Sequence, residues 1–309
     1  MLKNFHFINN KKITLIIVGV VLLVGILSFV IRGFNLDIDF TGGYELTIDL
    51  GETTSAEIAS DVKALIEGDK ELGKDYVSSV TYSENSVKIE SKNAMTTEQQ
   101  NHLLEIICKK YENASTEIQL NNISAVIGTR TLYTTLITVA IAAVAMLIYV
   151  AFRFQFASGV ASVLCLLHDL FVMLVVYSLF QIPLSTSVIA AFLTILGYSI
   201  NATIVVFDRI RENRRKDDQS SFADVVNTST HETMGRSVNT TITTLLTIGA
   251  VFVACAAAVI IFPTSNLDTL RDFAGTLIVG ILSGLFSSVF LSGMIWNALS
   301  GIKLGKKAK

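Results

Sequence analysis

Charge is what this sequence has least of. Only 16% of its 309 residues are Asp, Glu, Lys or Arg, while 51% are hydrophobic and the mean hydropathy is +0.57. Soluble domains carry about 25% charged residues, so a soluble enzyme of this size is excluded and an integral membrane protein is implied. Cysteine is also scarce. Cys108, Cys165 and Cys255 are odd in number and two lie in apolar runs, which argues against a disulfide framework. No G-x-x-x-x-G-K-[ST] loop, no G-x-G-x-x-G after a strand, no H-E-x-x-H and no C-x-x-C pair occurs. Nucleotide hydrolysis, dinucleotide redox and metalloprotease chemistry therefore lack their usual parts, and no cofactor, metal or nucleic-acid partner is expected. Transport would need an ion gradient or a partner for its energy.

What the chain has in abundance is long apolar runs. About 20 apolar residues cross the roughly 30 Å of bilayer hydrocarbon. The segments Ile13–Ile31, Leu132–Phe152, Ala157–Phe180, Leu184–Phe207, Val238–Phe262 and Phe273–Leu299 qualify. The first resembles a signal peptide, with Lys3, Lys11 and Lys12 before an apolar core, but its length and the lack of an A-x-A-like site favour a retained anchor. Lys3, Lys11, Lys12, Arg153, Arg209 to Lys216 and Lys303 to Lys309 fall on one side if the spans alternate. The opposite turns, Gln181–Pro183 and Pro263–Asp272, hold only Arg271, and Arg32 and Arg130 dissent. Counting basic residues places both termini in the cytoplasm.

The expected organisation is an amino terminus and first span over 1–34, an outer domain over 35–130, and a five-helix bundle over 131–300. That bundle would carry a cytoplasmic loop at 208–236, with a basic tail at 301–309. The outer domain alternates as a strand over Tyr44–Leu50, then has helical spacing over Ser55–Glu67 behind a Thr54-x-x-Glu57 capping box. Strands at Tyr76–Tyr82 and Ser86–Ser91 flank Ser83-Glu84-Asn85. A helix at Thr96–Tyr111 opens with Thr96-x-x-Gln99, and Glu117–Ile127 is extended. The order β-α-β-β-α-β is that of a ferredoxin-like unit, which hosts many functions and specifies none. His102 stands alone on its helix, which favours a solvated or packing role. Asp39 to Gly43, "DFTGG", lies where a helix leaving the membrane must turn into a strand, and Gly42 and Gly43 permit the backbone angles.

Ionisable groups within spans are costly and mark pathways, relays or structural pairs. His168 and Asp169 lie near the middle of the third span, about 18 Å from its cytoplasmic edge at 1.5 Å per residue. Ser158, Ser162, Cys165 and Asp169 share one helical face. The fourth span repeats the pattern with Ser187, Thr194, Tyr198 and Asn201, and the fifth with Arg236, Thr240, Thr243 and Thr247. Lipid offers such groups no hydrogen-bond partners, so the stripes are expected to converge on each other or on a partner. Asp169, His168, Asn201, Arg236 and Tyr198 form the expected cluster, with Asp169 and Arg236 both facing inward. Single serines and threonines read as hydrogen-bonding glue worth about 1 kcal/mol each. Gly280, Gly284, Ser288 and Ser292 recur every fourth residue in the last span and predict close helix packing.

"LDIDFTGG" at 36–43, "LLHDL" at 166–170, "GYSINATIVVFDRIREN" at 197–213 and "RSVNTTITTLL" at 236–246 closely resemble the SecF family of protein-export subunits. The resemblance extends over nearly the whole chain. It implies a six-span α-helical protein of the resistance-nodulation-division superfamily in the bacterial cytoplasmic membrane, with a ferredoxin-like domain between the first two spans. It further implies pairing with SecD beside the SecYEG channel, and use of the proton motive force to draw a preprotein outward after the SecA stage. The family reads Asn-Asp-Thr where this chain reads Asn201-Ala202-Thr203, so a membrane carboxylate linked to proton conduction is replaced by Ala202. Arg236 and the His168-Asp169 pair match the family's residues. The leading reading is a non-enzymatic transport subunit. The alternatives are a scaffold for SecD without its own proton step, a half-size proton-driven small-molecule exporter, and an intramembrane hydrolase using Asp169 or His168. The compact outer domain argues against the exporter, and Ala202 removes the hydrolase's nearest second carboxylate.

Overall fold

A computed structural model describes residues 7–8, 11–51, 53–69, 71–73, 76–77, 79–82, 85–91, 95–111, 113–114, 118–123, 125–217, 219–261 and 267–305. Lys3, Ser83, Glu84, Glu117, Pro263 and the last four residues of the basic tail lie outside that set.

Helix α1 (Lys11–Ile31) leads into a short helix α2 (Ile38–Thr41) and the outer domain. There β1 (Gly43–Asp49), α3 (Ala56–Gly68), β2 (Ser79–Tyr82), β3 (Ser86–Ser91), α4 (Thr97–Lys110) and β4 (Ile118–Ile123) follow. The sheet order is β2-β3-β1-β4 with every pair antiparallel. That is the ferredoxin-like arrangement the element order predicts. Alternation along β1 sends Leu46 and Ile48 inward, with Leu46 opposite Ile89 and Leu120 in the ladders. Helices α3 and α4 close over that face with Val62, Ile66, Leu103 and Ile107.

Several boundaries differ from expectation, and β2 begins at Ser79 where the sequence pattern predicts a strand from Tyr76. The residue capping α3 is Ser55, whose Oγ accepts from the Ile58 amide at 3.3 Å, because the helix starts at Ala56 and Thr54 is buried beneath it. The Thr96–Gln99 capping box forms as the spacing predicts, with bonds of 3.3 and 2.9 Å. The last extended segment ends at Ile123, since Ala125 already begins helix α5 (Ala125–Arg153), which runs from the outer domain into the membrane. His102 packs half-buried with Nε2 3.3 Å from Asp69.

The remaining spans are α6 (Phe156–Phe180), α7 (Thr186–Lys216), α8 (Phe222–Ile261), and α9 (Asp268–Phe286) continued through a π-helical turn, Ser287–Leu291, into α10 (Ser292–Gly305). With α1 and α5 these make six helices, among the described residues, long and apolar enough to cross a membrane. Residues 208–236 are helical on both sides of a short turn, because α7 and α8 continue past the apolar zone.

Helices α6, α7 and α9 form the buried centre of the bundle, with α1 against α6 and α5 and α8 outside. The Gly280-Gly284-Ser288-Ser292 face is pressed into this centre. A Cβ at Gly280 would lie 2.4 Å from Ile195 Cγ1, and Ser288 and Ser292 are fully buried. A Cβ at Gly25 would meet Val175 at 2.4 Å, and Ser28 and Ser178 share a hydroxyl bond of 2.8 Å, which together seat α1 on α6.

Candidate functional site

The row Ser158, Ser162, Cys165 and Asp169 is buried along its length, as its spacing on α6 predicts. Asp169 is the buried carboxyl group at its end. Its Oδ2 accepts from Ser199 Oγ of α7 at 2.5 Å and from Ser287 Oγ at 2.8 Å. Its Oδ1 accepts from Ser283 Oγ of α9 at 2.8 Å and lies 3.2 Å from His168 Nδ1. The remaining face of His168 lies against the Phe286 ring, with centroids 5.8 Å apart.

The π-helical turn belongs to this site. It starts at Ser287, whose carbonyl accepts from the Ser292 amide in place of the usual α-helical partner and also from Cys165 Sγ at 3.8 Å. Such turns insert one residue into a helix and re-aim the side chains beyond it. Here Ser283 is placed on the α-helical side and Ser287 at the start of the widened turn, both reaching the same carboxylate.

The other expected members of the cluster lie elsewhere. Tyr198 donates to Thr244 Oγ1 of α8 at 3.5 Å, Asn201 is exposed, and Arg236 lines an open groove with Asp208, Arg209 and Glu232. Ser199 and Asn201 are about 200° apart around α7, so the stripe of Thr194, Tyr198 and Asn201 faces away from Asp169. The single convergent cluster is therefore corrected to a buried Asp169 site and a separate α7/α8 surface. On that surface Thr194, Thr240, Thr243 and Thr247 donate to their own helix carbonyls four residues back, so lipid exposure costs their hydroxyls no partner. The side chains of Asn201, Asn239 and Arg236 have no hydrogen-bond or ion-pair partner among the described residues.

Register between α7 and α8 is fixed by Arg209 Nε on Glu232 Oε2 at 2.6 Å and by the Tyr198–Thr244 bond. Eleven residues on one helix oppose twelve on the other. Ala202 therefore stands across from Thr240, offset from Arg236 on the facing helix by about one turn, roughly 5 Å, along the axis.

The "DFTGG" stretch turns the chain and also fastens it. Gly42 and Gly43 have φ of 70° and 147°, and a Cβ at Gly43 would lie 2.3 Å from the Ser91 carbonyl. Asp39 Oδ2 accepts from the Thr186 amide at 3.1 Å and its hydroxyl at 2.8 Å, tying the root of the outer domain to the first turn of α7. Backbone bonds from Asp37 N to Leu184 O and from Leu184 N to Asn35 O, 3.0 and 2.8 Å, join the same two segments.

Asp37 caps α2, and partial burial, followed by the nearby Asp39 and Glu90 charges, pushes its carboxyl up to about 6 against the Ile38 amide and Lys88. A raised acid holds its proton more tightly in the folded state. Stability from Asp37 is thus complete below about pH 4 and is given up as pH rises through about 6. Asp37→Asn keeps the cap and should flatten that slope. Thermal unfolding should show the variant more stable at pH 7 by about 1–2 kcal/mol, allowing for screening of a partly exposed carboxylate, and equal to the parent at pH 4; a parallel pH profile would disprove the assignment.

Fold and site together define a polytopic membrane protein with a carboxylate locked inside its bundle and a small domain rooted on one side. The family model for the protein export membrane proteins SecD/SecF, C-terminal region, matches residues 104–301. The chain is 36% identical to the protein translocase subunit SecF of Sebaldella termitidis, covering 97% of this chain and 93% of that one. It is 30% identical to the SecF of Alicyclobacillus acidocaldarius, over 96% and 94%. A crystal structure of SecDF from Thermus thermophilus, described as a translocon-associated membrane protein, superposes with a TM-score of 0.77 at 29% identity, over 96% of this chain and 38% of that one. The chain thus spans somewhat more than a third of that fused protein. It belongs to the SecD/SecF family of protein export membrane proteins.

Proposed function

We propose that this chain is a SecF-type subunit that pairs with SecD and couples the proton motive force to preprotein export through SecYEG, downstream of the SecA stage. The observation that carries the pairing is the exposed pair Asn201 and Asn239 on the α7/α8 surface, with Arg236 beside them at its charged edge, none with a partner among the described residues. Hydrocarbon cannot satisfy an amide or a guanidinium, so a second polar helix surface is needed. The Gly280 to Ser292 face is spent inside the chain and leaves the docking role to α7 and α8. Relatives named SecDF, such as that of Bacillus subtilis at 29% identity over 39% of its length, support SecD as the partner.

Features of the same structure support the orientation. Arg153 pairs with Asp208 at 2.6 Å and sits with Arg209 to Lys216 at one end of the bundle, while Asp39 and Thr186 fasten the outer domain to the other. The basic end faces the cytoplasm of a bacterial cell, with both termini there. Ala202 favours a second reading, a scaffold for SecD without its own proton step.

In a Cys108→Ser background, single cysteines replacing Tyr82 and Gln219 should be labelled by an impermeant thiol reagent from opposite sides of the membrane. Purification of the labelled chain in mild detergent should retain a larger six-span partner. Labelling of both positions from outside would overturn the orientation, and an active chain purified alone would overturn the pairing.

A further inference from the structure

The extension of α7 beyond Phe207 is electrically lopsided. Toward α8 its charges balance: Arg209 meets Glu212 at 2.7 Å and Glu232 at 2.6 Å, and Lys216 meets Glu212 at 2.7 Å. Toward α5 and α6 they do not. Arg153 and Arg215 each lie close enough to repel Arg211, and Arg153 and Arg211 share one carboxylate, Asp208, at 2.6 and 3.3 Å. Arg211 is poorly satisfied by the protein. Its contact with Ser158 Oγ is 3.4 Å, and its Nε is buried with no hydrogen-bond partner among the described residues.

Both Arg153 and Arg211 stack on the Phe154 ring, 5.7 and 5.3 Å from its centroid. Phe154 also lines a groove of about 470 Å³ between α5 and α6, walled by Leu147, Val150, Val160, Val163 and Leu164. Excess positive charge thus sits at the lip of an apolar slot on the lipid-facing side of the bundle. An acyl chain fits the slot, while only an anionic head group answers the charge; basic pockets beside spans bind such lipids. A soluble anion would leave the slot empty, and a zwitterionic lipid would bring its own cation to three guanidiniums.

We propose that the α5/α6 groove is a binding site for an anionic phospholipid of the basic-side leaflet, one acyl chain along Leu147, Val160 and Leu164 and the phosphate between Arg153 and Arg211. Arg215 contributes at longer range. The bound lipid would hold the α5–α6 turn against the end of α7, reinforcing the Asp208 ion pair and the Arg211–Phe154 stack.

The test uses the full chain in mild detergent, with phosphatidylglycerol or phosphatidylcholine added and retention read by native mass spectrometry. Phosphatidylglycerol should be retained at least fivefold more. The Arg153→Gln/Arg211→Gln pair should erase that preference, and Leu164→Trp, which fills the slot at an exposed position, should reduce retention of both lipids. Because the double variant could fail to fold, Arg215→Gln is measured beside it and should lower the preference by a smaller factor. Water-soluble glycerol phosphate in millimolar excess should leave retention unchanged. Equal retention of the two lipids by the parent chain would overturn the proposal. Displacement by glycerol phosphate would do the same, by showing a surface anion site that makes no use of the groove.

Discussion

Ala202→Asp should raise proton-dependent export by roughly an order of magnitude in cells that rely on this protein. A methyl group can neither accept nor release a proton, so Ala202 offers nothing to titrate where the family resemblance implies a carboxylate. The register of α7 against α8 offsets a side chain at 202 from Arg236 by about one turn along the axis. Arg236 in turn has no partner among the described residues. A carboxylate placed alone at membrane depth costs about 2.5–3.5 kcal/mol on insertion scales. Here a guanidinium stands within reach, so assembly should change little while a titratable pair is created. Ala202→Asn separates charge from hydrogen bonding: it supplies polarity at the same place and should stay at the parent's level. Equal export by all three chains would show that position 202 takes no part in proton coupling, and would favour the scaffold reading. A loss of export on Ala202→Asp with normal membrane levels would show that the position is closed to charge, and would sink the prediction outright.

The same helix shows where periodicity informs and where it stops. On α6 the polar residues Ser158, Ser162, Cys165 and Asp169 occupy one face and Leu164 and Leu167 another, so the buried row is legible from spacing alone. On α7 the run Tyr198, Ser199, Asn201, Thr203 places polar groups all around the helix. Spacing then cannot choose between the Tyr198 face and the Ser199 face; packing against Gly284, close enough for a Cβ there to touch Ser199 at 3.4 Å, makes the choice. Ser283 and Ser287 share a face by their four-residue spacing, but the widened turn that begins at Ser287 has no mark in the sequence. The α7/α8 threonines mislead for a different reason. A threonine in a helix can donate to its own backbone, so a stripe of them does not by itself demand a polar neighbour. The outer domain is more legible because its strands alternate and its helices carry caps, and its one wrong cap, Thr54 for Ser55, is a shift of a single residue.

Asp169→Ala should lower the stability of the bundle by about 2–4 kcal/mol. Three hydroxyls, from Ser199, Ser283 and Ser287, lose their acceptor at once in the buried centre of the bundle. Part of that cost is recovered, since serines in helices can turn to carbonyls of the preceding turn. Ser287 already lies 3.2 Å from the Gly284 carbonyl. The remainder is the lost tie between α6, α7 and α9, together with the space the side chain filled. Asp169→Asn keeps that volume and one acceptor oxygen, which can face Ser199 and Ser287 while its amide faces Ser283. It should cost only about 1 kcal/mol. Asparagine cannot take up or release a proton, however, so its effect on function isolates what the carboxylate does beyond holding three helices together. Thermal unfolding in detergent and proton-dependent export are therefore read on both variants. The expected pattern is a large fall in unfolding temperature for Asp169→Ala alone, and a fall in export of roughly tenfold or more for both. Near-parental stability of Asp169→Ala would refute the hydroxyl tie, and full export by Asp169→Asn would reduce Asp169 to a structural anchor.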